Sequence, residues 1–473
     1  MEAGLLLCQI ERAIERRALT LAAQHESRST GATVRLAGVL RENRLGRGVG
    51  VYSICSANRF VLEAGMLQAQ RDCSLLLIES TSNQVNQFGG YTGQTPLQFV
   101  SFVKGIAGAM NFPVERIVLG GDHLGPHVWR QEDVSSAMQK AIELVRACVL
   151  AGYTKIHLDT SMRLTGDPGD SSSPLVDEII SRRAADLCRA AEDAHRELPP
   201  GLPAPLYVIG TEVPIPGGEL LDARAPETTR PEDVARTVQL ARQAFEARGL
   251  QAAWERVIAL VVQPGVEFGD ATILHYLPEK ARRLARFVDD DQWQGVYEAH
   301  STDYQAPAAL RQMVRDHFAI LKVGPWLTFA FREAVFALAA VEEEWLGHRR
   351  GITISRVRES LEEAMLANPE YWKNYYRGDE AAQRFARKYS FSDRARYYWT
   401  QPDVAAALQR LLANLTAHPA PVSLLSQYLP EQSAALRARA IANDPIALIH
   451  NKVLEVINHY ADACGMSAPD QQG

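Results

Sequence analysis

The chain has 473 residues, 47% of them apolar and 22% charged, with a formal net charge of −6. That length accommodates one large domain plus a smaller one, and the composition is that of an ordinary soluble globular protein. The acidic balance and the absence of a basic stripe with interleaved aromatics argue against a nucleic-acid partner, and no apolar run approaches the ~20 residues needed to span a bilayer.

The first residues are apolar, but Glu11, Arg12, Glu15, Arg16 and Arg17 follow at once. This reads as an amphipathic helix near 5–25, not a signal peptide. A polar connector runs through Arg28-Ser29-Thr30-Gly31. Residues 1–48 are read as a helical extension or a partly disordered one. The six cysteines are scattered and none forms a Cys-x-x-Cys pair, so neither a disulfide framework nor a zinc knot is expected. The expected setting is the reducing cytoplasm.

From residue 49 short β-type runs alternate with longer helical ones. The β runs are 50–55, 75–79, 116–119, 155–159, 205–210, 257–262, 295–299 and 318–323. Most are nearly continuous in apolar character, as strands covered on both faces are. Segments with helical spacing follow each in turn: 60–71, 96–110, 134–151, 175–198, 230–248, 278–287, 306–316 and 327–346. Eight βα units in series predict a (β/α)8 TIM barrel over 49–346. The alternative is an open doubly wound sheet, but no Gly-x-Gly-x-x-Gly turn follows the first strand. Residues 347–473 lack β runs and read as a C-terminal helical region. Its Tyr, Trp and Arg clusters are taken first as packing.

In a barrel the carboxyl ends of the strands converge on one mouth. There the sequence places Ser56, Glu79, Asn83, Asp122, His123, His157, Asp159, Glu212, Gln263, Glu298, His300 and Lys322. So much charge in a partly buried place is costly without a ligand or metal, and an active site is expected. His with carboxylate suits a divalent ion, zinc first, with manganese or magnesium as alternatives. His123, Glu212 and His300 are the candidate ligands, with Glu298 and Gln263 as substitutes.

Asp122, Glu298 and Asp159 are the candidate acid–base residues. Ser56, Asn83, Gln87, Gln263 and Lys322 are the candidate substrate contacts. Asp122 could instead be a helix cap or a partner that orients His123. His157, inside a strand, reads equally as a buried histidine or a site residue. The run Arg116-Ile117-Val118-Leu119 is expected to stop at Gly120-Gly121, with the glycines making a tight turn. The loop Gln87-Phe88-Gly89-Gly90-Tyr91-Thr92-Gly93 is too long for a tight βα turn and is expected to fold over the mouth. Pro216-Gly217-Gly218 is a similar segment.

Several of these runs carry a resemblance: Ser80-Thr81-Ser82-Asn83-Gln84 with the loop to Gly93, and Gly120-Gly121-Asp122-His123-Leu124-Gly125-Pro126. So do Gly210-Thr211-Glu212-Val213-Pro214, Val262-Gln263-Pro264-Gly265-Val266-Glu267-Phe268, Glu298-Ala299-His300-Ser301-Thr302-Asp303, Leu321-Lys322-Val323-Gly324-Pro325 and Ser426-Gln427-Tyr428-Leu429-Pro430. Over about residues 48 to 465 the chain resembles the D-tagatose-bisphosphate aldolase class II non-catalytic subunit family. The family is named for a subunit that supports a separate class II aldolase chain. Some of its members are ketose 4-epimerases acting on D-tagatose or its 6-phosphate.

The resemblance implies a metal-dependent barrel in which Asp122-His123 matches the aldolases' acid/base and metal-ligand pair. His127 departs from the pattern, where asparagine is usual. Two functions follow from it. The first is a 4-epimerase interconverting D-tagatose and D-fructose, free or as 6-phosphates, by retro-aldol chemistry. The alternative is a supporting subunit of a class II tagatose-bisphosphate aldolase. The partner is accordingly a ketose or ketose phosphate, with a homo-oligomer or an aldolase catalytic subunit as the protein partner. The epimerase is put first because a pure support subunit has no need of a full acid, base and ligand set. A sugar kinase is disfavoured by the lack of a Gly-x-x-x-x-Gly-Lys-Ser/Thr loop.

Overall fold

A computed structural model describes residues 31–169, 175–210, 227–290 and 293–467. Eight parallel strands close into a barrel. They are β1 Val51–Ile54, β2 Leu76–Thr81, β3 Ile117–Leu124, β4 Lys155–Leu158, β5 Leu206–Ile209, β6 Val257–Val261, β7 Val296–Ala299 and β8 Phe318–Val323. Each strand pairs with its neighbours in sequence, and β8 closes on β1 with Val51 opposite Ile320 and Ser53 opposite Lys322. The predicted helices lie between them with ends moved by a residue or two, as in Arg59–Arg71, Val134–Ala151 and Pro325–Leu346. Their starts are chemically marked. Asn58 accepts from the Phe60 and Val61 N–H groups, and Thr95 with Gln98 forms a capping box. A two-stranded antiparallel ribbon, Glu267–Phe268 with Ile273–Leu274, follows β6 and was not foreseen.

Successive residues of a strand face opposite sides, so each barrel strand shows every second residue to the interior. Toward the amino ends the inward positions are apolar: Val51, Leu77, Val118, Val208, Ala259, Val296 and Ile320 belong to one buried cluster. The helix Ala32–Arg44 closes that end and buries Leu36 and Leu40 in the same cluster. The sequence reading had left this stretch as an extension of undecided order. The expected helix near 5–25 lies outside the described residues. Moving two residues toward the carboxyl ends, Leu77 gives way to Glu79, Val296 to Glu298 and Ile320 to Lys322. The barrel interior therefore changes from oil to charge within one strand length.

After Leu346 the chain is helical, and its last described helix, Pro445–Ala463, returns to pack on Arg59–Arg71, Pro307–Arg315 and Pro325–Leu346. His450 Nε2 meets Glu63 at 2.8 Å, and the Tyr460 hydroxyl donates to the Thr302 carbonyl at 2.9 Å. Among the described residues no helix is long and apolar enough to cross a membrane. Their five cysteines are all free thiols.

Candidate active site

β3 overruns its expected end. It continues through Gly120 and Gly121 to Leu124, and the ladder with β4 shifts register between Gly121 and Leu124. The glycines are strand residues and do not form the expected turn; they give room. A Cβ on Gly120 would lie 2.8 Å from Glu79 Cγ and 2.7 Å from its Oε1, so the bare backbone there lets the β2 carboxylate turn inward. The irregular geometry falls on His123, whose φ is 49°. A histidine in this left-handed region is uncommon and marks a functional or over-determined position. Here the distortion brings the His123 backbone N–H to 3.2 Å from His157 Nδ1.

The charged layer is a connected set. Lys155 Nζ pairs with Glu79 and lies 2.7 Å from Glu298 Oε2, with all three side chains fully buried. Lys322 also pairs with Glu79 and stands 3.2 Å from Asp122 Oδ1 and 3.8 Å from Glu298 Oε1. Above it three imidazoles gather, with ring centres 4.8 Å apart for His123 and His300, 5.1 Å for His123 and His157, and 5.5 Å for His157 and His300. His300 Nε2 lies 3.0 Å from Glu298 Oε1, and His157 Nδ1 lies 3.1 Å from Asp122 Oδ1. His123 Nδ1 is held at 2.9 Å by Asp159 Oδ2, whose other oxygen accepts from the Ser161 hydroxyl and N–H.

These contacts set the protonation states. Burial alone would raise Asp122, but His123, His300 and His157 outweigh it and hold the carboxyl far below its ordinary range. Asp159 is lowered in the same way, chiefly by the hydrogen bond from His123. Burial works against a charged His123, yet Asp122 and Asp159 raise it to about 9. At His300 burial prevails over Asp122 and Glu298, and its pKa falls. Burial is overcome at Glu298 by Lys155 and His300, leaving it at about 2, while it brings Lys322 down to about 8. The two neighbouring imidazoles of His123 and His300 are thus shifted in opposite directions beside an ionised Asp122.

One donor atom each from Asp122, His157, Glu298 and His300 falls within 4.8 Å of the others, and all four residues are buried. His157 Nε2 is buried with no hydrogen-bond partner among the described residues. Two imidazoles with two carboxylates fit a divalent ion.

Over residues 36–465 the chain matches the family model described as D-tagatose-1,6-bisphosphate aldolase subunit GatZ/KbaZ-like. The chain belongs to the GatZ/KbaZ-like family. Among solved structures it is similar to a protein of Sinorhizobium meliloti 1021 described as a probable tagatose 6 phosphate kinase. The two are 43% identical with a TM-score of 0.79, over 88% of this chain and 100% of that one. It also matches the YdjI aldolase of Escherichia coli K12, at 10% identity and a TM-score of 0.38 over 83% of this chain and 97% of that one. A further match is the fructose-bisphosphate aldolase of Campylobacter jejuni, at 13% and 0.42 over 82% and 92%. The family's description favours the aldolase-subunit reading over the epimerase that the sequence put first.

In this GatZ/KbaZ-like chain the sequence-derived candidates divide. Asp122, Glu298, His300 and Lys322 meet in the charged layer, with His123 and Asp159 beside them. Asp122 is neither a helix cap nor the partner that orients His123; Asp159 is that partner. Glu212 and Pro216-Gly217-Gly218 lie outside the described residues. Asn83 lines a cavity at the mouth. Ser56 Oγ accepts from the Asn58 N–H, Gln87 Nε2 donates to the Lys140 carbonyl, and Gln263 Oε1 accepts from the Gly265 and Val266 N–H groups. Those three hold loops in shape. Lys155 belongs to the centre and was not among the candidates, and His157, which the sequence reads equally as a buried histidine or a site residue, belongs to it too. Their signal was the alternation Lys155, His157, Asp159, which puts all three on one face of β4.

Proposed function

We propose that this protein is the supporting subunit of a class II D-tagatose-1,6-bisphosphate aldolase. The observation that carries this reading is the family match, which spans nearly the whole chain and is described as an aldolase subunit. The test is to purify a class II aldolase catalytic chain with and without this protein and follow cleavage of D-tagatose 1,6-bisphosphate. The expected result is higher specific activity, or a longer active lifetime, in the mixture. Equal activity and lifetime would overturn the reading.

A second reading is favoured by one observation: the barrel keeps a complete, buried set of acid, base and cation side chains around Asp122. In a ketose 4-epimerase the ionised Asp122 takes the proton of the C4 hydroxyl. The C3–C4 bond then breaks, its electron pair forming the C2–C3 double bond of an enediolate with the negative charge on the C2 oxygen, and C4 becomes an aldehyde. After the aldehyde rotates, C3 attacks its other face and Asp122 returns the proton, so atoms and electrons balance without a redox cofactor. Lys322 and the His123 imidazolium face the negative charge that develops on the oxygens. His157, Glu298 and His300 would hold a divalent ion, zinc first, with Glu212 as the further ligand expected from the sequence, which leaves Asp122 beside them to carry the proton. When bound, such an ion supplies electrostatic stabilisation of negative charge.

The purified chain is incubated with D-tagatose and with D-tagatose 6-phosphate, with and without chelator, and D-fructose or its 6-phosphate is measured. Conversion that chelator abolishes supports the epimerase. No conversion of either sugar, together with stimulation of the aldolase, leaves the supporting role alone.

A further inference from the structure

Beside the charged centre lies a cavity of about 430 Å³ with walls of two origins. Asn83, Tyr91, His127 and Arg130 come from the loops after β2 and β3, while Glu370, Tyr371, Tyr375, Arg394 and Tyr397 come from the C-terminal region. Its size falls at the lower end of small-molecule sites, roughly 300–1,000 Å³. His127, which lines it, follows His123 by four residues along the chain and feels the charges of Asp159 and His123.

The walls are firm and carry two guanidiniums, Arg130 and Arg394, against one carboxylate, Glu370. Tyr371 and Tyr397 stack with ring centres 4.7 Å apart, and Tyr91 meets Tyr397 edge-on at 4.6 Å. The Arg394 guanidinium lies over the Tyr375 ring at 3.0 Å from its centre and donates to the Tyr371 carbonyl at 2.9 Å, so its charge is fixed in place. Arg130 has no carboxylate within ion-pair distance among the described residues. His127 is nine-tenths buried, and its Nδ1 has no hydrogen-bond partner there. A fixed guanidinium, an unpaired one and an unsatisfied imidazole around one space form a binding place for a doubly charged oxyanion. The tyrosine faces suit the carbon chain of a polyol.

We propose that this cavity takes the phosphoester end of an open-chain sugar phosphate whose carbonyl end reaches the Asp122–His123 centre. The inference rests on the reading that the protein handles a ketose, and it assigns the phosphorylated form as the ligand. It also gives the C-terminal region a share in recognition.

The test is calorimetric titration of the full chain with inorganic phosphate, D-tagatose 6-phosphate and D-tagatose, for wild type, Arg130→Met and His127→Asn. Charge-assisted hydrogen bonds are worth about 1.5–3 kcal/mol, so each substitution should weaken the sugar phosphate by about tenfold or more. Inorganic phosphate should compete with it, and D-tagatose should bind alike to all three proteins. Should Arg130→Met fail to fold, as read by its melting temperature, His127→Asn carries the same comparison. Sugar-phosphate binding unchanged in the variants, no competition by phosphate, or equal weakening of D-tagatose would overturn the proposal. Variant-sensitive sugar-phosphate binding in a protein that neither aids an aldolase nor epimerises would uphold the cavity assignment and remove the functional reading.

Discussion

The two ends of the barrel are built from the same eight strands and have opposite chemistry. At the amino end Val51, Leu77, Val118, Val296 and Ile320 pack under the helix Ala32–Arg44. Toward the carboxyl end the inward positions become Glu79, Asp122, Glu298 and Lys322, linked through Lys322, with Lys155 pairing Glu79 and Glu298. Apolar burial at the first end contributes stability on the order of 25 cal/mol per Å². Buried ion pairs at the second end gain little net stability, because desolvation offsets their attraction. The contrast assigns the amino end to holding the fold and the carboxyl end to chemistry, the division of labour general to this architecture.

Four measurements sharpen or break that contrast. The largest effect is expected from Asp122→Asn, which on the epimerase reading should lower conversion of D-tagatose or its 6-phosphate by about 10²- to 10⁴-fold with little change in melting temperature. Bound metal, read by elemental analysis, should be nearly retained; its loss would make Asp122 a ligand instead of a proton carrier.

Next, Lys155→Met leaves two fully buried carboxylates without one of their cations and should cost about 3–5 kcal/mol in denaturant unfolding. Adding Glu79→Gln should recover part of that loss. A loss under about 1 kcal/mol for Lys155→Met would show that the charged layer is already solvated, contrary to the cost of unpaired buried charge.

At the other end, Leu36→Ala should cost about 2–4 kcal/mol while leaving ligand affinity unchanged. Altered affinity would mean that the two ends are coupled.

The smallest effect concerns acid. Burial lowers the folded His127 to about 4, below the ordinary histidine value of 6.5. The folded imidazole then holds its proton less tightly than the unfolded one. The stability this contributes is present above pH 6.5 and is lost as pH falls toward 4, up to about 3 kcal/mol. His127→Asn should flatten that part of the stability–pH curve relative to wild type; parallel curves would contradict the assignment.

Eight βα alternations were legible in the sequence because hydrophobic period is a local property, set by 3.6 residues per turn or by two per pleat. The gathering of Asp122, His123, Glu298, His300 and Lys322 followed from that alone, since a closed parallel barrel sends every strand's carboxyl end to one place. The run to Leu119 also announced β3, but not its length. The strand's extension past Gly121 depends on pairing with β2, where Ser80 and Thr81 stand opposite Gly121 and Asp122.

What only the tertiary structure decided were matters of direction and distant contact. His157 could face either way until β4 was set in the sheet; in place, it stands beside Asp122 and His300. Gln263 and Gln87 are expected substrate contacts from the sequence, and the fold shows what the sequence could not, that each also hydrogen-bonds backbone of a loop or helix. The C-terminal tyrosines were read as packing, and Tyr376 and Tyr398 are indeed buried. Tyr371, Tyr375 and Tyr397, however, face a cavity whose other wall lies some 300 residues earlier in the chain. No local period reports a contact across that separation. Composition and alternation gave the barrel and its charged mouth, while chain closure over long range gave the mouth its pairing and its side cavity.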